Sequence, residues 1–246
     1  MGMDVKRKTG WRAWRRFVLL LLLAGVGLQL YFLARVIMLR YIDPGSTAFE
    51  RSQISQLLRN QQGLRWRQEW MPASRINTNL SRAVIASEDD MFASHDGVQW
   101  QAIEKAWQRN EKAQTRASTN GKTPKVVGGS TITQQLAKNL FLSGERNFLR
   151  KGQELLITLA LESCLSKQRI LEIYLNHVEW GKGVFGAEAA AKHYFSKRAA
   201  QLTPWDSARL AVMLPRPKYF EKLPQSPYLT DRSQVILGRM GAAVLP

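Results

Sequence analysis

A short acidic segment stands out in a chain that is otherwise strongly basic. Residues 87–97 read SEDDMFASHDG and hold four of the 19 acidic residues, whereas the 246-residue protein has a formal net charge of +17 at pH 7. Carboxylates can donate or accept protons during catalysis. The other interpretation of the segment is a solvated acidic surface, so the remaining sequence must indicate what these groups would act on.

Basic residues recur at spacings that would suit an anionic ligand. Arg150 and Lys151 precede Glu154 by four and three residues, so all three can project from one side of a helix. Such a group is either an exposed ion pair worth a few tenths of a kcal/mol or a site in which burial and neighbouring cations tune the Glu154 pKa. The motif alone does not separate these interpretations.

A second polar segment precedes these residues. The stretch GGSTITQQLAKNLFL covers residues 128–142, and either Ser130 or Thr131 can cap the helix that follows it. On that helix Gln135, Lys138 and Asn139 lie on overlapping faces. A capped helix start with a lysine one turn along it favours binding of an anionic group.

The N-terminal region predicts a membrane anchor. Residues 17–34 form an uncharged apolar run, which reaches residue 39 if Arg35 extends its side chain towards the lipid headgroups. Six basic residues against one acidic residue precede the run. The positive-inside rule therefore predicts an N-terminus in the cytoplasm and a domain outside it. A cleaved signal peptide is the alternative, but its apolar core would be shorter.

The charge of the external part indicates its partners. The tail carries +5 (six basic minus one acidic), which leaves +12 of the total +17 on the rest. An anionic partner at a membrane surface fits this charge, and a phosphate-bearing lipid fits better than nucleic acid, for which the sequence has no recognition motif. The single cysteine, Cys164, excludes an intramolecular disulfide.

Hydrophobic periodicity predicts a mainly helical domain. Helical segments are expected near residues 50–62, 80–93, 97–109, 130–142, 147–178, 184–195 and 204–213, without sustained strand patterns. Thr203, Pro204 and Asp206 form a helix start of cap, first position and acidic first turn. Residues 109–125 predict a basic loop, either a tether or a flap over a site.

Four segments in this order resemble the family 51 peptidoglycan glycosyltransferases. They are the acidic segment from Glu88 to Gly97, the GGSTITQQ stretch, the Arg150-Lys151-x-x-Glu154 motif and the stretch RILEIYLNHVEWGKGVFGAEAAAKHYF at residues 169–195. The resemblance covers about residues 80–220, and the later LTPWDSARLAVMLPRPKYF stretch is part of it. No S-x-x-K followed by K-T-G occurs, so the chain resembles the monofunctional members of the family.

The resemblance implies roles for individual residues. Glu88 would be the general base that accepts the proton of the acceptor 4-hydroxyl, and Glu154 would be the second catalytic glutamate. The diphosphate would be bound by Lys138, Arg150 and Lys151, and sugar and phosphate oxygens by Ser130, Thr131, Gln135 and Asn139. Asp89 would support the site. A divalent cation, Mg or Mn, would accompany the substrate pyrophosphate, and no organic cofactor is expected.

The expected architecture combines a lysozyme-like helical head with a small membrane-proximal hydrophobic lobe. Its predicted parts are a basic cytoplasmic tail at 1–16, a transmembrane helix at 17–39 and a periplasmic glycosyltransferase domain at 40–246. The expected partners are lipid II, the nascent glycan strand, membrane lipids of the bacterial inner membrane and other cell-wall synthesis or division proteins. Two other functions stay open: a membrane-anchored muramidase or lytic enzyme, and a non-catalytic cell-wall scaffold.

Overall fold

The structure is a computed structural model, and it describes residues 3–59, 66–100, 104, 108, 111, 129–142 and 148–246. The side chains of residues 3–10 and of residue 148 are outside this description. Most of the predicted helix at 97–109 and the predicted basic loop at 109–125 lie outside the described residues. The chain forms two compact units, residues 1–42 and residues 43–246.

The first unit is a single long helix. Helix α1, Met3–Met38, contains the apolar run, and within the described residues it is the one helix that is long and apolar enough to cross a membrane. The qualifying span is Trp11–Met38. Its leucines at positions 19–23 are all exposed. These properties are consistent with a single-pass membrane anchor.

The second unit is mainly helical, as predicted. Its helices in the described residues are α2 (Ala48–Arg59), α3 (Thr78–Glu88), α4 (Ile132–Phe141), α5 (Phe148–Cys164), α6 (Lys167–His177), α7 (Ala187–Phe195), α8 (Pro204–Met213), α9 (Pro217–Phe220) and α10 (Pro227–Arg239). Four single 3-10 turns accompany them, at Ala73–Arg75, Phe92–Ser94, Ala199–Gln201 and Met240–Ala242.

Helix α6 lies at the centre of this unit. Seven of its residues are buried: Ile170, Leu171, Ile173, Tyr174, Leu175, Asn176 and His177. A helix that is buried on most of its circumference belongs to a core, and α6 packs against α4, α5 and α7. A second layer is formed by α3, α8 and α10, which pack on one another. The unit therefore has a buried helix at its core, packed against three other helices.

A small sheet caps the end of α6. Strand β1 (Arg67–Gln68) pairs in parallel with β3 (Val184–Phe185), and β3 pairs antiparallel with β2 (Glu179–Gly181). Sequence periodicity did not predict these strands because two or three residues are too few to show an alternation. Gly186 follows β3 with φ +80°, and a Cβ there would lie 2.6 Å from the Asn176 carbonyl oxygen, so glycine is required.

Three predicted helix boundaries are wrong. The predicted helix at 184–195 begins at Ala187, because Val184–Phe185 form strand β3. The predicted helix at 147–178 is divided into α5 and α6, because the Ser166 side chain caps a new helix by accepting the Arg169 amide. The predicted helix at 80–93 ends at Glu88, since Asp89 has φ −163° and ψ 74°. The helix start at Thr203 is confirmed, with Pro204 at the first helical position and a reciprocal Thr203–Asp206 capping box.

Candidate active site

Glu88 is the last residue of α3, and it is partly exposed. The helix begins where the Asn77 side chain accepts the Asn79 amide at 2.9 Å. Its apolar face, which includes Leu80 and Val84, is fully buried. Because that face fixes the helix in the core, the Glu88 carboxylate is held at a defined position at the helix end.

Asp89 ties the acidic segment to the start of α4. Its Oδ1 accepts hydrogen bonds from His95 Nε2 at 2.8 Å and from Gln99 Nε2 at 2.7 Å. Its Oδ2 accepts the backbone amide of Ile132 at 3.0 Å, at the N-terminus of α4, where a carboxylate is favoured by the helix dipole. Asp89 is buried, and both of its oxygens serve the fold. Asp89 therefore fixes the loop that follows Glu88 against the start of α4.

Both ring nitrogens of His95 have hydrogen-bond partners within the same segment. The Gly97 amide donates to His95 Nδ1 at 3.0 Å, so Nδ1 accepts and Nε2 carries the proton that is donated to Asp89. Gly97 itself has φ +80°, and a Cβ there would lie 2.8 Å from the Thr158 methyl group of α5. The loop after Glu88 is thereby closed tightly against α5.

The start of α4 is built as the capping rules predict. Thr131 accepts the Gln134 amide at 3.1 Å, while Gln134 Oε1 accepts the Thr131 amide at 3.2 Å. The Thr131 hydroxyl also donates to the Gly97 carbonyl at 2.6 Å. Thr131 is buried and its hydroxyl is used inside the fold, whereas Ser130 is exposed at the entrance to the helix.

Two side chains of α4 act on Glu88. Gln135 Nε2 donates to Glu88 Oε2 at 2.9 Å, and the charge of Lys138 is close enough to act on the same carboxylate. Burial raises the pKa of Glu88 above its ordinary value, and the Asp89 charge acts in the same direction. The Gln135 hydrogen bond and Lys138 oppose this, but the net direction is upward. A carboxylate with a raised pKa is suited to accept a proton near neutral pH.

The predicted basic motif forms a compact cluster on α5. Arg150 Nη1 lies 3.0 Å from Glu154 Oε2, and Lys151 Nζ contacts Glu154 Oε1. Glu154 is buried, Arg150 is largely buried and Lys151 is half-exposed. This arrangement differs from an exposed ion pair, because the carboxylate holds two cations at the edge of the core.

The α4 side chain that contacts Glu88 and the basic cluster of α5 lie on helices that pack against each other, since α4 packs on α5. In the described part of the chain no ion pair or hydrogen bond joins Glu88 directly to Arg150, Lys151 or Glu154. Asn139 is buried on α4. Helix α4 thus contacts the candidate base at the end of α3 and packs against the helix that carries the cations.

The described residues do not form a protein-held metal site. No group of three His, Cys, Asp or Glu side chains among them could hold a metal ion. Both oxygens of Glu154 already contact cationic side chains. This donor set does not fit a resident divalent cation, whose preferred ligands are several free oxygens.

Sequence reasoning missed one residue of this site, Tyr174. Its hydroxyl donates to Gln135 Oε1 at 3.0 Å, while its side chain is fully buried on α6. A buried tyrosine hydroxyl needs a hydrogen-bond partner. A tyrosine within the otherwise apolar pattern of α6 was the signal that could have indicated this.

Comparison with known proteins identifies the family of the chain. The transglycosylase family model matches residues 54–241. A biosynthetic peptidoglycan transglycosylase of Burkholderia thailandensis is 53% identical over 223 residues, which cover 91% of this chain and 84% of the relative. One from Janthinobacterium sp. (strain Marseille) is 52% identical over 229 residues, which cover 93% of this chain and 94% of the relative. The family model spans all four sequence segments, and the chain therefore belongs to the transglycosylase family and is a peptidoglycan glycosyltransferase.

Proposed function

We propose that this enzyme lengthens glycan strands with Glu88 as the general base. In the proposed reaction, Glu88 accepts the proton of the lipid II 4-hydroxyl as that oxygen attacks the anomeric carbon of the undecaprenyl-pyrophosphate-linked donor. The observation that carries the assignment is a partly exposed carboxylate with a raised pKa, held by Gln135 and faced by Lys138. The hydroxyl becomes acidic only in the transition state, so a nearby base of raised pKa can take the proton then.

The leaving group needs cations more than it needs an acid, because pyrophosphate is already anionic. We assign Lys138, Arg150 and Lys151 to its oxygens, with Arg150 able to donate two parallel hydrogen bonds. Glu154 contacts both α5 cations in the protein, which supports a role in keeping them oriented before the substrate arrives. Without these two cations beside it, the Glu154 carboxylate would repel a diphosphate.

The remaining predicted ligands have different environments. Ser130 is exposed and can meet a sugar or phosphate oxygen directly. Thr131, Gln135 and Asn139 are more buried, and the hydrogen bonds of Thr131 and Gln135 support a role in shaping the site. Any divalent cation would take its ligands mainly from the substrate pyrophosphate, so the proposed steps use only the side chains of the protein.

An apolar face on α5 supports access from the membrane. Leu149, Leu156 and Leu159 recur at helical spacing and are 88%, 51% and 45% exposed. We propose that this face contacts the acyl region of the bilayer, so that the polyprenyl tail of the substrate stays in the apolar phase. Moving the tail into water would cost about 0.8 kcal/mol per methylene.

We further propose that the protein is anchored in the bacterial inner membrane with its catalytic unit in the periplasm. The support is the apolar helix and the six basic residues before residue 17. Other cell-wall synthesis or division proteins are proposed partners at this location.

The topology can be tested with reporters fused after residue 246. A phosphatase that is active only in an oxidising compartment is expected to be active there, and a fluorescent reporter that matures only in the cytoplasm is expected to be dark. Changing the basic residues before residue 17 to glutamine should weaken this preference, because those charges set the orientation. Cytoplasmic activity of the parent fusion would overturn the proposed topology.

The choice between synthesis and lysis can be tested with two substrates. The purified full chain should lengthen lipid II into glycan strands and leave finished, uncrosslinked glycan at its original length, as measured by gel separation of labelled strands. A muramidase or lytic enzyme would shorten the second substrate, and a scaffold would act on neither. The cation cluster favours synthesis, because hydrolysis of a glycan has no diphosphate to bind.

A further inference from the structure

A chain of two hydrogen bonds lies behind the proposed base. The Tyr174 hydroxyl donates to Gln135 Oε1 at 3.0 Å, and Gln135 Nε2 donates to Glu88 Oε2 at 2.9 Å. The three residues come from α6, α4 and α3, and Tyr174 is completely buried. The core helix of the fold therefore contacts the reacting group through one amide side chain.

The chemistry of the groups sets the orientation of the amide. An ionised carboxylate only accepts hydrogen bonds, so the NH2 group of Gln135 must face Glu88 and its oxygen must face Tyr174. Burial raises the pKa of Tyr174 well above its ordinary value, and the charges of Glu88 and Asp89 raise it further. The phenol therefore keeps its proton and remains a donor.

We propose that Tyr174 is a positioning residue for the base: it holds the Gln135 amide so that Glu88 Oε2 is engaged and Oε1 faces the acceptor hydroxyl. This inference rests on the proposed role of Glu88. In the step itself, the proton of the acceptor 4-hydroxyl passes to Glu88 Oε1 while the hydroxyl oxygen forms a bond to the anomeric carbon of the donor. The bond from that carbon to the pyrophosphate oxygen breaks, and the pyrophosphate leaves with the electron pair.

The restraint matters once Glu88 has been protonated. A protonated carboxyl group can donate a hydrogen bond. If the Gln135 amide were unrestrained, its oxygen could turn towards the Glu88 carboxyl group, accept that hydrogen bond and hold the proton. The Tyr174 hydrogen bond opposes this turn, because the amide oxygen is already engaged. Glu88 can then release its proton to solvent before the next addition.

Other charged and polar groups lie near Glu88, but Tyr174 acts on it through the Gln135 hydrogen bond. Asp89 and Lys138 act on the carboxylate in opposite directions. Helix α8 contributes the Ala211 carbonyl, which accepts the Ser87 hydroxyl at 3.4 Å. Helix α10 contributes Arg239, which pairs with the exposed Asp90 at 3.5 Å.

The test is Tyr174→Phe in the full chain, which keeps the ring and removes the hydroxyl. We expect kcat for lipid II polymerisation to fall about tenfold, the rate equivalent of one neutral hydrogen bond, with KM changed less than about twofold. A weaker hydrogen bond to the ionised form raises the pKa of Glu88 further, so the acidic limb of the pH–rate profile should move to higher pH. NMR titration of labelled glutamate carboxyl groups, with Glu88→Gln identifying the signal, should show the same shift without relying on activity.

Tyr194→Phe provides the matched control. The Tyr194 hydroxyl also makes one internal hydrogen bond, to the Trp180 carbonyl at 2.8 Å, and its contacts lie away from Glu88. This change should lower thermal stability by a similar amount and leave the acidic limb and the Glu88 titration in place. If Tyr174→Phe behaves like Tyr194→Phe, Tyr174 has only a structural role and the inference is wrong.

The experiment also separates this inference from the proposed function. If Glu88→Gln polymerises lipid II at near the parent rate, the assignment of the base fails. If Glu88→Gln is inactive but Tyr174→Phe moves neither the acidic limb nor the Glu88 titration, only the positioning role fails.

Discussion

Replacing Glu88 with glutamine is expected to slow lipid II polymerisation at least about a hundredfold, the usual scale of a general-base contribution. Glutamine keeps the length of the side chain, and its carbonyl oxygen can still accept the hydrogen bond from Gln135 Nε2. The variant lacks only the ability to take a proton. Initial rates with labelled lipid II at saturating concentration would measure the effect on kcat.

The stability of this variant gives an independent check. A carboxyl group with a raised pKa in the folded state contributes stability while it is protonated, and this contribution is lost as the pH rises through the folded pKa. Ionised Glu88 therefore costs stability in the alkaline range, where glutamine stays neutral. The free energy of unfolding of Glu88→Gln at pH 8 should equal or exceed that of the parent.

Asp90→Asn is the matched control in the same segment. Asp90 is exposed, and its one described ion pair, to Arg239, is long at 3.5 Å. Its removal should change polymerisation by less than about twofold, since exposed pairs contribute at most about 1 kcal/mol. Equal losses in both variants would indicate a general requirement for negative charge, and an active Glu88→Gln enzyme would remove Glu88 from the mechanism.

Loss of the Arg150 guanidinium is expected to have the second largest effect. A donor to the charge that develops on the leaving diphosphate is worth about 3 to 4 kcal/mol, so Arg150→Ala should reduce turnover about a hundredfold or more. Lys151→Ala should reduce it at least about tenfold, since Lys151 is half-exposed and binds as a point charge. Steady-state rates with lipid II would measure both changes.

The burial of Glu154 complicates Arg150→Ala, because the carboxylate would be left with Lys151 alone and the fold would lose stability as well. Arg150→Lys separates the two effects. Lysine keeps a positive charge beside Glu154 but cannot make the two-pronged contact with a diphosphate, so activity should fall at least about tenfold with little change in the thermal unfolding midpoint.

Arg169→Ala is the control for the loss of a partly buried ion pair between an arginine and a glutamate. Arg169 has the same exposed fraction as Arg150, 17%, and it also pairs along its own helix, with Glu172 at 2.7 Å. Its removal should lower the unfolding midpoint without a specific loss of turnover. If the activity of the Arg150 variants falls only in proportion to their stability, as we expect for Arg169→Ala, the cluster is structural.

The sequence by itself determined the features that depend on neighbouring residues. The long uncharged run predicted α1, and the Thr203, Pro204 and Asp206 pattern predicted the start of α8, because a helix cap involves residues only three apart. The spacing of Arg150, Lys151 and Glu154 likewise predicted one cluster on one helical face. The order of the four segments indicated the family, which the comparisons confirm.

Only the tertiary structure decided which groups meet across the core. Glu88 and Gln135 are 47 residues apart and Gln135 and Tyr174 are 39 apart, so no local pattern links them. The break at Ser166 followed from a side-chain cap that competes with helix continuation. Helix α3 ends at Glu88, where the Asp89 side chain accepts the distant Ile132 amide. Periodicity reports which face of a segment is buried, but the partner of a buried polar group is set by the packing of distant helices. The resemblance already indicated Glu88 as the base, and that packing supplied its contacts with Gln135 and, through it, Tyr174.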